Sequence, residues 1–411
     1  MKEYMFYAPC PAGLENLLCN ELEDLGAKNV RPDGFGARFK GNAEIGIRAC
    51  IWSRLAGRIL LVLSKGDGFT PEALYRTVHG IDWAKQLIPG GTIAVHFSGR
   101  TPTIRNTQFG AVKVKDAIVD RLRKDTGKRP SVNRKDPDLL IDVRIRRREA
   151  WVSIDMAGDS LHLRGYRIEG GEAPLRETLA AGILRRCGWP ITENGDSGIA
   201  CVDPMCGSGT VLIEAAYISA DIAPGLSRNK FGFMGWKGTP NELMKRILRD
   251  AETRKREGIR RVQKNKIRFL GCDKNPRILE TAKRNATRAG IASLLDFEHL
   301  SLSRFQEKAQ VMDLPERGIV VTNPPYGERL QPSSSKENDQ EPWKKIKHLT
   351  PTYKALGELL AGPLAHYRAG VLIQNEDLGY KLGIRAKKRY SLKNGPIKIS
   401  LLIFDPRHGD N

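Results

Sequence analysis

The sequence predicts a two-part α/β protein, in which a split α+β half is followed by an α/β half built on a nucleotide-binding type of sheet. Three observations carry that reading. Short alternating strands and amphipathic helices follow one another from the start of the chain. A strand, a glycine-rich turn and a helix begin at Ile199. Further apolar strands then end in an acid or in Asn-Pro-Pro-Tyr.

Tyr4-Met-Phe-Tyr-Ala8 alternates as a strand and runs into the turn Pro9-Cys-Pro-Ala-Gly13. Leu14, Leu17, Leu18, Leu22 and Leu25 recur at helical spacing. Val30, Phe35, Ala37 and Phe39 mark short strands around glycines, and Ile45, Ile47, Ile51 and Leu55 mark a second helix. This βαββα order predicts a small first domain over residues 1–57.

From residue 58 to 160 the pattern gives a strand at Ile59–Leu63, a helix from Pro71 to Val78 and a strand at Thr92–Phe97. A helix carrying Val112, Val114, Ile118, Val119 and Leu122 follows, then strands at Leu139–Ile145 and Trp151–Asp155. Residues 161–184 are Gly-rich and mixed in charge at first, which reads as a hairpin and linker, with Pro174 opening a helix through Ile183. The final domain is expected over residues 185–411. Gln331 to Lys347 crowds Pro, Ser, Asn, Asp and Lys together, the composition of a loosely ordered flap.

A chain of 411 residues exceeds what one hydrophobic core usually absorbs. Its 68 Lys and Arg outnumber 47 Asp and Glu, for a net charge of +21, which calls for a polyanionic partner. No apolar run approaches the roughly 20 residues of a membrane span, and the N-terminus lacks a signal-peptide layout, so a cytoplasmic protein with no membrane partner is expected. The seven cysteines are widely spaced without a C-x-x-C pair, which fits reduced thiols and no metal site. Monomer and homodimer fit the sequence equally.

The charge is not spread evenly. Between Arg100 and Arg148 fifteen Lys and Arg face six Asp and Glu. Arg100, Arg105, Lys113, Lys115, Arg121 and Lys124 lie on one helix and its flanks, the layout of a phosphate-tracking surface. A second stretch, Lys237 to Arg268, has twelve cations against four acids and is expected on the catalytic half.

The chemistry is concentrated at three strand ends. Ile199-Ala-Cys-Val-Asp203 leads into Pro204-Met-Cys206-Gly207-Ser-Gly209-Thr210 and an amphipathic helix, the first βα turn of a ligand-binding sheet. The turn has no P-loop Lys-Ser/Thr and no third glycine of the dinucleotide fingerprint, so a ligand without phosphate is favoured. A strand at Lys266–Cys272 ends in Asp273, whose carboxylate can accept both hydrogen bonds of a ribose diol.

A further strand, Gly318–Thr322, ends in Asn323-Pro324-Pro325-Tyr326. Two prolines fix the backbone and remove two donors, leaving carbonyl oxygens and the Asn323 side-chain oxygen as acceptors for an amino group. Tyr326 offers a flat face for an extruded base. A base amino group is a poor nucleophile because its lone pair is delocalised into the ring. Acceptors on its hydrogens aim that pair at an electrophilic methyl group, so the residues point to a methyltransferase working by positioning and electrostatics.

These motifs, with Ala223-Pro-Gly-Leu226, Phe231-Gly-Phe-Met-Gly-Trp236, Arg164-Gly-Tyr-Arg167, Ala173–Ala180 and Asn394-Gly-Pro-Ile397, resemble the THUMP-domain RNA guanine-N2 methyltransferases over essentially the whole chain. The resemblance is closest to bacterial enzymes that methylate large-subunit ribosomal RNA. It implies ferredoxin-like and THUMP modules before a Rossmann-like class I methyltransferase domain, whose seven-stranded sheet is mostly parallel with an antiparallel last strand. It implies S-adenosylmethionine as cofactor, with Asp203, Pro204, Cys206, Gly207, Gly209 and Thr210 at the methionine end, Asp273 at the ribose and Thr178 near by. Asn323, Pro324, Pro325 and Tyr326 are implied at the target base, and Arg228 and Arg329 join the cations expected on RNA. Where relatives carry an acid near the adenine, this chain has Ser301, a weaker acceptor. Some larger relatives add a second methyltransferase domain, so a single methylation activity is expected of this chain.

Three alternatives stay open from the residues alone: a tRNA guanine-N2 methyltransferase, a DNA adenine-N6 or protein glutamine-N5 methyltransferase, and a non-catalytic ribosome-assembly protein that binds RNA.

Overall fold

Phe39, Phe6, Leu61, Ile154 and Ile141 are cross-strand neighbours in one row, each essentially out of contact with water, and that row is the centre of the first sheet's apolar face. The computed structural model describes residues 2–168, 175–189, 198–326 and 347–406. The first sheet has eight strands in the order β2-β3-β1-β4-β8-β7-β5-β6. They are β1 (Tyr4–Pro9), β2 (Lys28–Pro32), β3 (Gly36–Gly41), β4 (Leu60–Asp67), β5 (Thr92–Ser98), β6 (Ser131–Val132), β7 (Leu139–Arg146) and β8 (Glu149–Asp155).

Its helices are α1 (Glu15–Asp24), α2 (Ala43–Trp52), α3 (Pro71–His79) and α4 (Thr107–Thr126). Their starts follow local chemistry: Asn42, Thr70 and Asn106 each accept a first-turn amide, and Gly127 ends α4 in the left-handed conformation. The βαββα order of the first 57 residues is observed. The boundary expected between residues 57 and 58 does not interrupt the sheet, because β1 pairs directly with β4 through Tyr7 and Leu60.

The second sheet has seven strands in the order β11-β10-β9-β12-β13-β15-β14. They are β9 (Ile199–Asp203), β10 (Arg268–Asp273), β11 (Leu295–His299), β12 (Arg317–Thr322), β13 (Arg368–Ile373), β14 (Lys388–Asn394) and β15 (Ile397–Phe404). The pairings from β11 across to β13 are parallel, and β15 runs antiparallel to both its neighbours. This is the mostly parallel sheet with an antiparallel last strand that the resemblance implies.

Around it lie α5 (Glu177–Arg186), α6 (Thr210–Ser219), α7 (Asn241–Lys264), α8 (Pro276–Arg288), α9 (Leu302–Ala309), α10 (Thr350–Ala361) and α11 (Glu376–Tyr380). Helices cover both faces. Val202, Leu270, Val320 and Val371 pack with Phe305 of α9 and Tyr353, Leu356 and Leu359 of α10. On the other face, a Cβ on Gly271 would stand 2.6 Å from Leu212 of α6, and one on Gly370 2.3 Å from the Cys187 sulfur just past α5. Burial on both faces explains why these strands are continuously apolar rather than alternating.

The chain divides into two compact units. The first holds residues up to Leu161, apart from Pro11–Gly13, together with Arg228–Asp250. The second holds Pro11–Gly13, His162–Ser227 and Ala251 onward. The stretch expected to belong wholly to the catalytic half is thus split, and α7 passes from one unit to the other. The physical reason lies in three buried rings. Phe231, Phe233 and Trp236 are sunk into the first unit, where the Trp236 indole donates to Gln86 at 3.0 Å and the Phe233 amide to the Met156 carbonyl at 2.9 Å.

The hairpin expected after residue 160 is not seen among the described residues 161–168, which form turns. Arg164 and Tyr166 are buried there. Pro174 and the greater part of the expected flap, residues 331–346, lie outside the described residues.

Candidate active site

Asp203, Asp273 and Asn323 stand at, or one residue past, the carboxyl ends of β9, β10 and β12, and those three strands are neighbours with β9 in the middle. Strand order reverses between β9 and β12, and open α/β sheets bind ligands in the crevice at such a reversal.

The glycine turn is built by two left-handed residues. Gly207 has φ +53° and Gly209 φ +81°, a region costly for any residue with a Cβ. Their surroundings differ. A Cβ on Gly209 would press to 3.2 Å against Ala282 and Phe297, so this glycine serves packing. A Cβ on Gly207 would meet nothing within 4 Å, so this glycine leaves its backbone open to an approaching ligand. The Cys206 amide donates to the Cys272 carbonyl at 2.8 Å, and the Asn285 side chain donates to the Ser208 carbonyl at 3.1 Å.

Asp273 ties two turns together. One carboxylate oxygen accepts the Gly207 amide at 3.0 Å and the other the Asn275 amide at 2.9 Å. Each oxygen keeps lone-pair capacity for a hydroxyl pair.

Asp203 is buried and accepts the Met205 amide at 3.2 Å. Burial pushes its carboxyl up to about 7; the Thr322 hydroxyl and the Met205 amide pull it down, and the Asp273 charge pushes it further up. The folded chain therefore prefers the neutral carboxyl. Stability from this group is complete below the ordinary aspartate range, near 4, and is lost as pH rises to about 7. The wild type is expected to lose stability relative to Asp203→Asn across that window, and a pH-independent difference in denaturant unfolding would refute the shift.

Cys206 sits in the turn and is the thiol best placed to act as a nucleophile. Burial holds it well above the ordinary thiol range, and burial lifts neighbouring Cys272 to about 12. Burial thus favours the thiol form of both, whereas covalent catalysis needs the thiolate.

At the end of β12, the Tyr326 hydroxyl donates to the Asn323 side-chain oxygen, and the Tyr353 hydroxyl donates to the Pro325 carbonyl at 3.4 Å. The expected acceptor oxygen of Asn323 is thus already engaged once. An amide oxygen has two lone pairs, so one remains for an incoming amino group. The Pro324 carbonyl accepts no hydrogen bond among the described residues.

Thr178 is buried in the first turn of α5. Thr210, first residue of α6, turns its hydroxyl toward Arg167 at 3.4 Å, so that group faces the protein. Ser301 is the N-cap of α9: its hydroxyl accepts the Arg304 amide at 3.4 Å and meets Ser303 at 3.1 Å. Among the described residues no three His, Cys, Asp or Glu side chains gather as a metal site.

The expected RNA-contacting cations separate into two groups. Arg100, Arg105, and Lys124 are exposed, and Lys113 is half-buried 5.4 Å from the Tyr75 ring. Arg121 is engaged by Asp125 at 2.6 Å and the His79 carbonyl at 3.0 Å, and Lys115 by Asp116. Arg228 donates to the carbonyls of Ala157, Ser160 and Asp159, so its guanidinium straps a turn of the first unit. Arg329 lies outside the described residues.

A basic group not singled out from sequence lies on the first sheet. Arg38, Lys65 and Arg146 stand over the Trp151 ring, and Arg144 and Arg146 over Tyr7. Its available signal was the alternation of Arg144 and Arg146 with apolar residues along β7, which places both on one face.

Comparison with known proteins bears on the family and the fold. A family model described as an RlmL ferredoxin-like domain matches residues 5–60, a THUMP domain model matches residues 70–155, and an RMKL-like methyltransferase domain model matches residues 164–340. The ribosomal RNA large subunit methyltransferase K/L of Cellvibrio japonicus is 43% identical over 402 residues, covering 98% of this chain and 51% of the relative. The chain thus spans about half the length of the curated relatives it matches. Two solved structures align over the full length of both chains. One is SMU.472, a putative methyltransferase in complex with SAH (TM-score 0.82, 28% identity), and the other a possible methylase from Clostridium difficile 630 (TM-score 0.83, 27% identity).

Proposed function

From its membership of the THUMP-domain methyltransferases, we propose that this chain transfers a methyl group from S-adenosylmethionine to the exocyclic N2 amino group of a guanine in large-subunit ribosomal RNA. The observation that carries the reading is the row Asp203, Asp273 and Asn323 at the ends of three adjacent strands, with the Gly207 backbone open beside it. The K/L relatives support ribosomal RNA as substrate by their name, and the cytoplasm is where such RNA is found. Among the described residues no helix is long and apolar enough to cross a membrane.

The residues present fit the cofactor. The open Gly207 backbone, Asp203 and the turn from Pro204 to Gly209 would hold its methionine end, beside the first turns of α5 and α6 with Thr178 and Thr210. Asp273 would hold the ribose diol through the free lone pairs of its pinned carboxylate, and Ser301 lies at the next strand end for the adenine. When bound, S-adenosylmethionine supplies an electrophilic methyl group on a positively charged sulfur.

The chain's own contribution is to orient the base. The second lone pair of the Asn323 oxygen and the Pro324 carbonyl accept the two hydrogens of the guanine amino group. This raises electron density on the nitrogen and points its lone pair out of the ring plane. The Tyr326 ring, held by its hydroxyl on Asn323, stacks on the extruded base, worth about 1–3 kcal/mol. Pro325 keeps the loop rigid under the Tyr353 hydroxyl.

The test is incubation of the purified chain with labelled S-adenosylmethionine and, separately, unmodified ribosomal RNA and unmodified tRNA, followed by nucleoside mass analysis. N2-methylguanosine in ribosomal RNA is the expected product. Label in tRNA alone replaces the substrate, and N6-methyladenosine replaces the base.

RNA binding is expected to follow the exposed cations of the first unit. Charge reversal at Arg100, Arg105 and Lys124 should weaken binding and lower the slope of log affinity against log salt by about 0.7 to 0.9 for each phosphate that is no longer neutralised. Reversal of Arg121, already paired to Asp125, should change the slope less and the stability more. Equal slopes in wild type and the triple variant would place the RNA elsewhere.

A further inference from the structure

We propose that Arg167 is a positioning residue for the cofactor, holding the starts of α5 and α6 in the single register that receives its methionine end. This rests on the reading that the second unit binds S-adenosylmethionine, and it adds to that reading a residue that would touch neither cofactor nor base.

Four charged side chains are taken out of water behind the glycine turn. Arg164 and Glu214 are almost fully buried with their charged groups 3.5 Å apart, and the Tyr166 hydroxyl donates to the same Glu214 oxygen at 3.2 Å. Arg167, 10% exposed, lies 3.0 Å from the Glu177 carboxylate, which is 1% exposed. The cluster sets two guanidinium groups against two carboxyl groups, and burial pushes the Glu177 carboxyl up to about 7 while the Arg167 charge pulls it back down.

Arg167 differs from its neighbour in how many elements it joins. One terminal nitrogen faces Glu177, while the other donates to the Leu175 carbonyl at 2.9 Å and reaches the Thr210 hydroxyl at 3.4 Å. Glu177 is the first residue of α5 and is followed by Thr178; Thr210 is the first residue of α6 and follows Gly209 directly. Neither helix has a side-chain cap at its start. A single planar fork therefore spans two helix beginnings, one that carries Thr178 and one that follows directly on the Gly207–Gly209 turn.

A buried ion pair supplies direction more than stability. Removing charges from water is costly, and apolar groups of similar volume often stabilise a fold as well or better. A guanidinium with donors in fixed directions supplies geometry instead, because sliding either helix start breaks one of its bonds. Small shifts at such a support displace the groups it carries, and misplacement by about 1 Å is enough to lose about a hundredfold in function.

The test compares the full-length wild type with Arg167→Lys, Arg167→Met and the double variant Arg167→Met/Glu177→Leu. S-adenosylmethionine affinity is measured by titration calorimetry and Tm by circular dichroism on the same preparations. Arg167→Met is expected to weaken cofactor affinity by about tenfold or more. The double variant, which removes both charges together, should regain Tm and keep the weakened affinity. Arg167→Lys retains the charge without the fork, and should keep Tm while binding more weakly than wild type. A double variant or a lysine variant with wild-type affinity overturns the proposal, as does affinity that simply follows Tm through the series. A wild type that binds no S-adenosylmethionine overturns the cofactor reading itself, an outcome distinct from any difference among the variants.

Discussion

Asn323→Ala is expected to lower kcat by about a hundredfold to a thousandfold or more while leaving the affinities for S-adenosylmethionine and RNA within about threefold of wild type. The size follows from where the interaction acts. An acceptor on the amino group gains strength only as the nitrogen becomes positive during methyl transfer, so it stabilises the transition state more than the bound substrate. Removing it should appear in kcat and spare KM. The substitution also releases the Tyr326 hydroxyl, which loses its partner on Asn323. Tyr326→Phe separates the two effects, since it frees Asn323 and keeps the ring; it is expected to retain most of the activity. Asn323→Asp keeps acceptor oxygens and should retain more activity than the alanine variant. Steady-state kinetics over a range of RNA concentrations, with single-turnover rates at saturating RNA, are the measurement. A rise in KM with unchanged kcat in Asn323→Ala would make this residue a binding group and remove it from the chemistry.

Asp273→Ala is expected to weaken S-adenosylmethionine binding by about a hundredfold, near 3 kcal/mol. Two losses combine there. The carboxylate no longer accepts a ribose hydroxyl pair, and the Gly207 and Asn275 amides lose the oxygens that now fix both turns. Asp273→Asn keeps one acceptor oxygen and should fall between. RNA affinity, which depends on the first unit's cations, should stay unchanged in both. Calorimetric titration of the cofactor decides the matter: affinity within about threefold of wild type in Asp273→Ala would take the carboxylate off the ligand.

Particular residues show how much of this was legible in the sequence. Asp203, Gly207, Asp273 and Asn323 were found from their positions at the ends of apolar strands, and the parallel sheet brings those ends to one edge. The reason is local. A βα turn needs a chain reversal that glycine permits, and a strand buried on both faces reads as an uninterrupted apolar run wherever it occurs. The first unit's helices were read from apolar spacing alone, and their starts are set just as locally, by Asn42, Thr70 and Asn106, which cap the helices that follow them.

Other placements depend on partners distant in sequence. Arg228 counted as one more cation, yet its guanidinium is spent on the carbonyls of Ala157, Asp159 and Ser160, about seventy residues earlier. Phe231, Phe233 and Trp236 read as part of the catalytic half and lie instead in the core of the first unit. Arg164, Tyr166 and Arg167 sat in a Gly-rich stretch read as a hairpin and linker; Arg164 and Tyr166 are buried and the Arg167 side chain is 10% exposed. Nothing within a few residues of any of them records the partner.

The sequence by itself determined the βαββα order of the first 57 residues, the residues at the carboxyl ends of β9, β10 and β12, and the excess of positive charge. Each of these depends on neighbours along the chain or on composition. Tertiary structure alone decided which cations remain exposed, which unit receives Arg228–Asp250, and how Arg167 joins the starts of α5 and α6. Charge and hydrophobicity are properties of a residue, whereas whether a guanidinium faces water, a carboxylate or a carbonyl depends on atoms that only folding brings within about 3 Å of it.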